Sequence, residues 1–357
     1  MSTSETIVFT LFVSALLASC IAADDTSQLL FPAILAFGDS TVDTGNNNYF
    51  LPARLKAKHL PYGVDLPGHE ANGRFSNGKL MTDIIATKLN IKEFVPPFLQ
   101  PIISDQDIVN GVSFASAGSG YDDMTSIATL AIPVLKQPRM FKNYIARLKG
   151  IVGDKNAMEI IENALVVISA GTNDFAINYY TMRTRRIDYR QISGYQDFVL
   201  KRLDGFVREL YGLGCRKFVV AGLPPIGCLP IEMTTKMQTA RACVEQENKD
   251  SVLYNHKLKK HLPQIEASLT GSKILYANIY GPLMDMIQNP RKYGFKETKK
   301  GCCGTGLLEA AFLCNDFTKT CPHHSDHMFW DSIHPSEASY NYLGNFIDAQ
   351  IRGWAKV

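Results

Sequence analysis

The sequence carries little net charge: 37 Lys and Arg against 34 Asp and Glu leave +3 over 357 residues. So small an excess gives no basic footprint for a phosphate backbone, and nucleic-acid binding is not expected. Asn-x-Ser/Thr is absent throughout, so no N-glycosylation is expected either. Internal repeats, low-complexity tracts and long Ser/Gly/Pro linkers are missing, which excludes a disordered chain and argues against separate domains. With 46% apolar and 20% charged residues, the composition suits a folded protein with a substantial core.

Long apolar runs are also lacking, with one exception. Ile7 to Ala23 (IVFTLFVSALLASCIAA) ends in small residues before Asp24 and Asp25. It falls short of the roughly 20 apolar residues of a membrane span and reads as a secretory signal, residues 1–23, ahead of one domain, 24–357. The segment departs from the usual pattern in carrying Glu5 and no Lys or Arg. The cysteines agree with secretion. Cys20 falls in the signal and seven remain, so one free thiol beside up to three bridges is expected. Cys302, Cys303, Cys314 and Cys321 crowd a Gly-rich stretch without periodicity, which reads as a disulfide-pinned loop in an oxidising compartment. Cys215 is the candidate for the unpaired thiol, and the connectivity stays open.

Short apolar runs alternate with longer segments of helical period. Ala33 to Phe37, Leu165 to Ser169, Lys217 to Ala221 and Ile274 to Ala277 read as strands, with Val112 to Ala115 a weaker fifth. Leu80 to Leu89, Val134 to Val152, Phe198 to Leu213, Gln238 to Leu262 and Ser336 to Trp354 read as helices. The alternation implies a three-layer α/β/α domain with a mostly parallel, five-stranded sheet.

In such sheets the chemistry gathers beyond the carboxyl ends of the strands. The first three strand ends deliver Ser40, Gly118 and Asn173. Near the C-terminus stands Asp331-Ser332-Ile333-His334-Pro335, whose spacing lets a carboxylate hold an imidazole. A serine hydroxyl needs a base, and the base an orienting group; Ser40, His334 and Asp331 supply these roles. The Ser40 and Gly118 N–H groups and the Asn173 amide would form an oxyanion hole. That assembly fits acyl transfer through an acyl-serine, and with water as acceptor it is ester hydrolysis.

These residues carry a resemblance. Phe37-Gly38-Asp39-Ser40, Asp43 to Asn48, Gly171-Thr172-Asn173-Asp174 and Asp331 to Pro335 resemble the GDSL esterase/lipase family of the SGNH hydrolases, closest to its secreted plant branch. Gly73 to Lys79 and Cys302-Cys303-Gly304-Thr305-Gly306 look like segments of the same branch. The resemblance implies a flavodoxin-like fold, no cofactor and no metal, with Ser40, Asp331 and His334 as triad and Ser40, Gly118 and Asn173 as oxyanion donors. It departs at Thr41, where the family's motif has Leu, and at Ala117, where similar chains have Gly. The latter leaves a choice between Gly118 and Gly120, and Gly118 is preferred.

The expected partner is a small-molecule or lipid ester, with no stable membrane span and no obligate protein partner. Two other functions use the same scaffold: an acyltransferase passing the acyl group to an alcohol, and a non-catalytic ligand-binding or defence protein. Gly73 to Lys79 has phosphate-loop spacing, but Leu80 replaces the Mg²⁺-binding hydroxyl and no apolar strand precedes it. An ordered loop near the cleft is expected there. Cys314, Cys321, His323, His324 and His327 invite a zinc site, but no C-x-x-C accompanies them and the compartment favours disulfides. Arg183, Arg185, Arg186 and Arg190 read as a solvated face.

Overall fold

Four β-branched and aromatic runs pair into a parallel sheet at the centre of the computed structural model, which describes residues 30–236 and 239–356. The predicted signal, with Cys20, lies outside the described residues. The strands are β1 (Ile34–Gly38), β2 (Leu165–Ser169), β3 (Lys217–Ala221) and β4 (Lys273–Ala277), in spatial order β1-β2-β3-β4. β1 and β2 are buried along their whole length. Both faces are therefore covered, and this is why the runs are continuously apolar rather than alternating. Ile34 pairs with Leu165, Leu165 with Lys217 and Lys217 with Lys273, so the strands start and end in line.

The fifth position belongs to the weaker run. Ala36 N–H donates to Val112 O (3.1 Å), Phe114 N–H to Ala36 O (2.7 Å) and Ser116 N–H to Gly38 O (3.0 Å), on the side of β1 away from β2. The run forms a single bridge, Ala36 to Ser113, on that side. Asn46 Nδ2 donates to its Ser113 and Ala115 carbonyls, both at 2.9 Å, and Pro97 bridges Ser113 on the outer side, so the edge is covered. From β1 the chain first fills one side and then, with β2, the other. The carboxyl ends of β1 and β2 thus flank a topological switch point.

The α-helices of eight or more residues among the described residues are α1 (Met81–Lys88), α2 (Gln137–Val152), α3 (Asp154–Asn163), α4 (Ile192–Gly212), α5 (Glu245–Ser268), α6 (Tyr280–Gln288) and α7 (Glu337–Ala355). α7 packs on α1, α6 and β4, while α5 packs on α4 and β4, giving the three-layer α/β arrangement. Phe141, Tyr144 and Leu148 bury one face of α2 at helical spacing. Ser336 caps α7 by accepting from Ser339 N–H.

α5 departs from the expected Gln238 to Leu262. Cys243 is bridged to Cys228, and Ala240 and Arg241 have positive φ, so helix starts only at Glu245. It then runs through Pro263 to Ser268. A second, two-stranded parallel sheet, β5 (Glu297–Gly301) with β6 (His327–Phe329), has no counterpart in the sequence reading. Between these strands lies the cysteine-rich segment, closed by Cys302–Cys321 and Cys303–Cys314. Cys215 is free and buried.

Candidate active site

Ser40 reaches the cleft because β1 ends abruptly. Gly38 has φ 139°, and a Cβ there would lie 1.8 Å from Ser169 O, so only glycine lets the chain leave β1 against β2. Asp39 N–H donates to that same carbonyl (3.0 Å). The Asp39 carboxylate accepts from Thr41 N–H (3.0 Å) and Thr41 Oγ1 (2.8 Å), closing a tight turn with Ser40 at its tip. Thr41, the departure from the family motif, therefore helps to hold the turn. Burial pushes the Asp39 carboxyl up to about 6, against the pull of the Thr41 hydrogen bonds and the His334 charge.

Across the cleft, Asp331 Oδ1 accepts from Ile333 N–H (2.8 Å) and His334 N–H (2.7 Å). This is an Asx turn, which brings carboxylate and imidazole together without a helix. His334 Nδ1 lies 2.7 Å from Asp331 Oδ2, and His334 Nε2 lies 2.8 Å from Ser40 Oγ. All three residues are buried. Two further side chains attend them that the sequence reading did not single out. Tyr62 Oη donates to Asp331 Oδ2 (2.6 Å), and the Phe75 ring lies 4.8 Å from the His334 ring. Phe75 belongs to Gly73 to Lys79, the segment expected near the cleft. Its neighbour Arg74 is committed to Asp83 by two hydrogen bonds, and to Thr44 O and Val95 O.

Asn173 lines the same cleft as Ser40 and His334. Its amide gives one hydrogen to Ser119 O (2.9 Å), which orients the other. Gly118, with φ +84°, precedes Ser119 but is not part of the cleft lining. Among the described residues its N–H has no acceptor, nor has that of Ser40, whereas Gly120 N–H reaches Ser126 Oγ at 3.4 Å. A Cβ on Gly120 would lie 2.1 Å from Asp174 Oδ1, so that glycine makes room for a carboxylate. Asp174 in turn accepts from Tyr121 N–H, Asp122 N–H and Thr125 Oγ1, and burial pushes it up to about 7.

Asp43 to Asn48 proves to be a clamp. Asp43 accepts from Gly45, Asn46 and Ala117 N–H, and Asn47 Nδ2 donates to Ala117 O. The turn carrying Ser40 is thereby tied to the loop carrying Gly118. Burial pushes the Asp43 carboxyl up to about 6. A run of short amide side chains was visible in the sequence, but nothing local showed what it would bind.

The cleft spans about 800 Å³ including its open mouth, and its walls are largely aliphatic, with Met81, Leu229, Leu283, Met328 and Leu343 among them. The cysteines of the rejected zinc reading are both in disulfides, and His324 Nδ1 lies against Asp65 (2.7 Å). The arginine run is not simply a solvated face. Arg185 makes a two-point ion pair with buried Asp122, and Arg186 lies over the Tyr179 ring.

A polar constellation at the switch point of a parallel sheet, opening into an aliphatic cleft, defines the class: a hydrolase of the SGNH type. The chain belongs to the GDSL-like lipase/acylhydrolase family, whose model matches residues 34–347. It is similar to three GDSL esterase/lipases of Arabidopsis thaliana. One is 75% identical over the whole of both chains; another is 74% identical over 99% of each. A third is 72% identical over 99% of this chain and 98% of its own. The protein is accordingly a carboxylic ester hydrolase.

Proposed function

We propose that Ser40, His334 and Asp331 hydrolyse carboxylic esters through an acyl-serine. The continuous chain from Ser40 Oγ through His334 to Asp331, at 2.8 and 2.7 Å, carries this reading. His334 Nε2 takes the hydroxyl proton as Ser40 Oγ bonds to the ester carbonyl carbon. The carbonyl π electrons move to oxygen, where the Ser40 and Gly118 N–H groups and the free Asn173 amide hydrogen receive the charge. His334 then protonates the leaving alcohol. A water, deprotonated by His334 in the second half, releases the acid and restores Ser40. Asp331 keeps Nδ1 protonated and stabilises the imidazolium.

Gly118 rather than Gly120 is assigned to the hole because its N–H is uncommitted and that of Gly120 is not. We further infer that residues 1–23 are a secretory signal and that the rest is one domain. Three disulfides in the described chain suit an oxidising compartment. Among the described residues no helix is long and apolar enough to cross a membrane. The test is a fluorophosphonate probe followed by peptide mapping, with Ser40→Ala beside the unchanged protein on a short p-nitrophenyl ester. Labelling at Ser40, and turnover lost in the variant, are expected; an active Ser40→Ala would end the reading.

A further inference from the structure

Each oxygen of the buried Asp331 carboxylate meets two donors. Oδ1 accepts from two backbone N–H groups, and Oδ2 faces both the His334 ring and Tyr62 Oη. The Tyr62 hydroxyl has its own donor, Ala311 N–H at 2.8 Å. With its oxygen accepting there, its single proton points to Asp331, and the direction of the hydrogen bond is settled. The Tyr62 ring lies edge-on to Phe75 (5.4 Å), whose own ring flanks His334. Tyr62 thus braces the carboxylate directly and the imidazole through Phe75.

Ala311 lies between Cys303 and Cys314, which are bridged, and two residues earlier Glu309 O accepts from Ser332 N–H (2.8 Å). The disulfide-closed segment therefore grips the Asp331 turn at two points, one of them through Tyr62. We infer that Tyr62 is a positioning residue that couples the Asp331–His334 pair to the 302–321 segment. The inference rests on the roles proposed above for Ser40, His334 and Asp331.

Tyr62→Phe deletes the hydroxyl and keeps the ring. One fewer donor on Oδ2 leaves the carboxylate a stronger acceptor for the ring N–H, so the acid limb of the rate profile should move upward. Three other ionisable groups face the pair: Ser40's neighbour Asp39 near His334, Tyr340 from α7 near Asp331, and Tyr62 itself. Because Asp39, pushed up to about 6 by burial, also faces His334, the shift is read as the difference between variant and unchanged protein.

On a short p-nitrophenyl ester, kcat should fall on the order of tenfold with KM within about twofold. The acid limb of kcat/KM should move upward by about half a pH unit. An unchanged kcat, or a loss without movement of the limb, would overturn the inference, since a space-filling tyrosine would not move it. In a second arm, Cys303→Ser/Cys314→Ser should lower kcat and move the limb the same way, but add little on top of Tyr62→Phe. Full additivity would refute the coupling to the loop; if that variant does not fold, Tyr62→Phe alone decides. Ser40→Ala is run alongside. If it stays active, the underlying mechanism is wrong; if it is inactive while Tyr62→Phe is normal, only the present inference falls.

Discussion

Ser40 stands two residues beyond β1, a strand hydrogen-bonded on both sides and buried throughout, whereas Asp331 and His334 follow the three-residue β6 of a two-stranded sheet. On the first side the ladder sets the backbone, and Asp39, Asp43 and Asn47 extend its order by buried or half-buried hydrogen bonds into the loops. On the second side the ladder shrinks to single bridges, Phe329 with Pro335 and Cys303 with Thr320. Two disulfides, an Asx turn and the Tyr62 hydroxyl do the same work. One reactive geometry is thus assembled from a half that regular structure rigidifies and a half that needs cross-links, because irregular backbone loses more conformational entropy per bond formed.

The largest effect separates chemistry from scaffold. His334→Ala should lower kcat/KM for p-nitrophenyl acetate on the order of 10⁴-fold while leaving the thermal midpoint nearly unchanged. A loss under tenfold would mean another base serves Ser40. The next compares the two modes of support by urea unfolding. Cys303→Ser/Cys314→Ser should cost about 2–4 kcal/mol. Asp43→Ala, which strands three buried N–H groups, should cost about 3 kcal/mol. Reductant, which opens all three bridges, should cost at least as much as the first change and leave the Asp43→Ala difference in place; a midpoint indifferent to reductant would break the comparison.

The smallest effect is in pH. Asp39 and Asp43 at about 6 and Asp174 at about 7 lie above their ordinary 3.8, raised by burial. The folded state holds these protons more tightly, so their contribution to stability declines as pH rises from about 4 to 7. Glu309, in the disulfide-closed segment, runs the other way. Burial opposes its charge, but hydrogen bonds from Thr305 and neighbouring backbone hold it down to about 2. Its contribution is full above its ordinary 4.5 and is lost as pH falls through 2. Asp174→Asn should flatten the neutral slope of the urea midpoint, and Glu309→Gln the acid one. Slopes unaltered by either change would contradict these assignments.

Much of the nucleophile side was legible in the residues. β1 and β2 are short buried runs, and their ends lead directly to Ser40 and Asn173. The support of the other side was not. β5 reads Glu-Thr-Lys-Lys-Gly, with no apolar alternation, and is a strand only because β6 pairs with it. The start of α5 was misjudged because the Cys228–Cys243 bridge and positive φ at Ala240 and Arg241 override helical periodicity. Tyr62 gave no sign at all, since a buried tyrosine is ordinarily core.

By itself the sequence determined the chemical identities and their order along the chain, with the hydroxyl and amide each following a strand, and the imidazole preceding a helix, whose period is local. Tertiary structure alone decided that Ser40 meets His334 across 294 residues, and that Tyr62 meets Asp331 across 269. Local patterns record which face of an element is buried. Contacts between distant loops leave no such period, because they exist only once packing has brought the loops together.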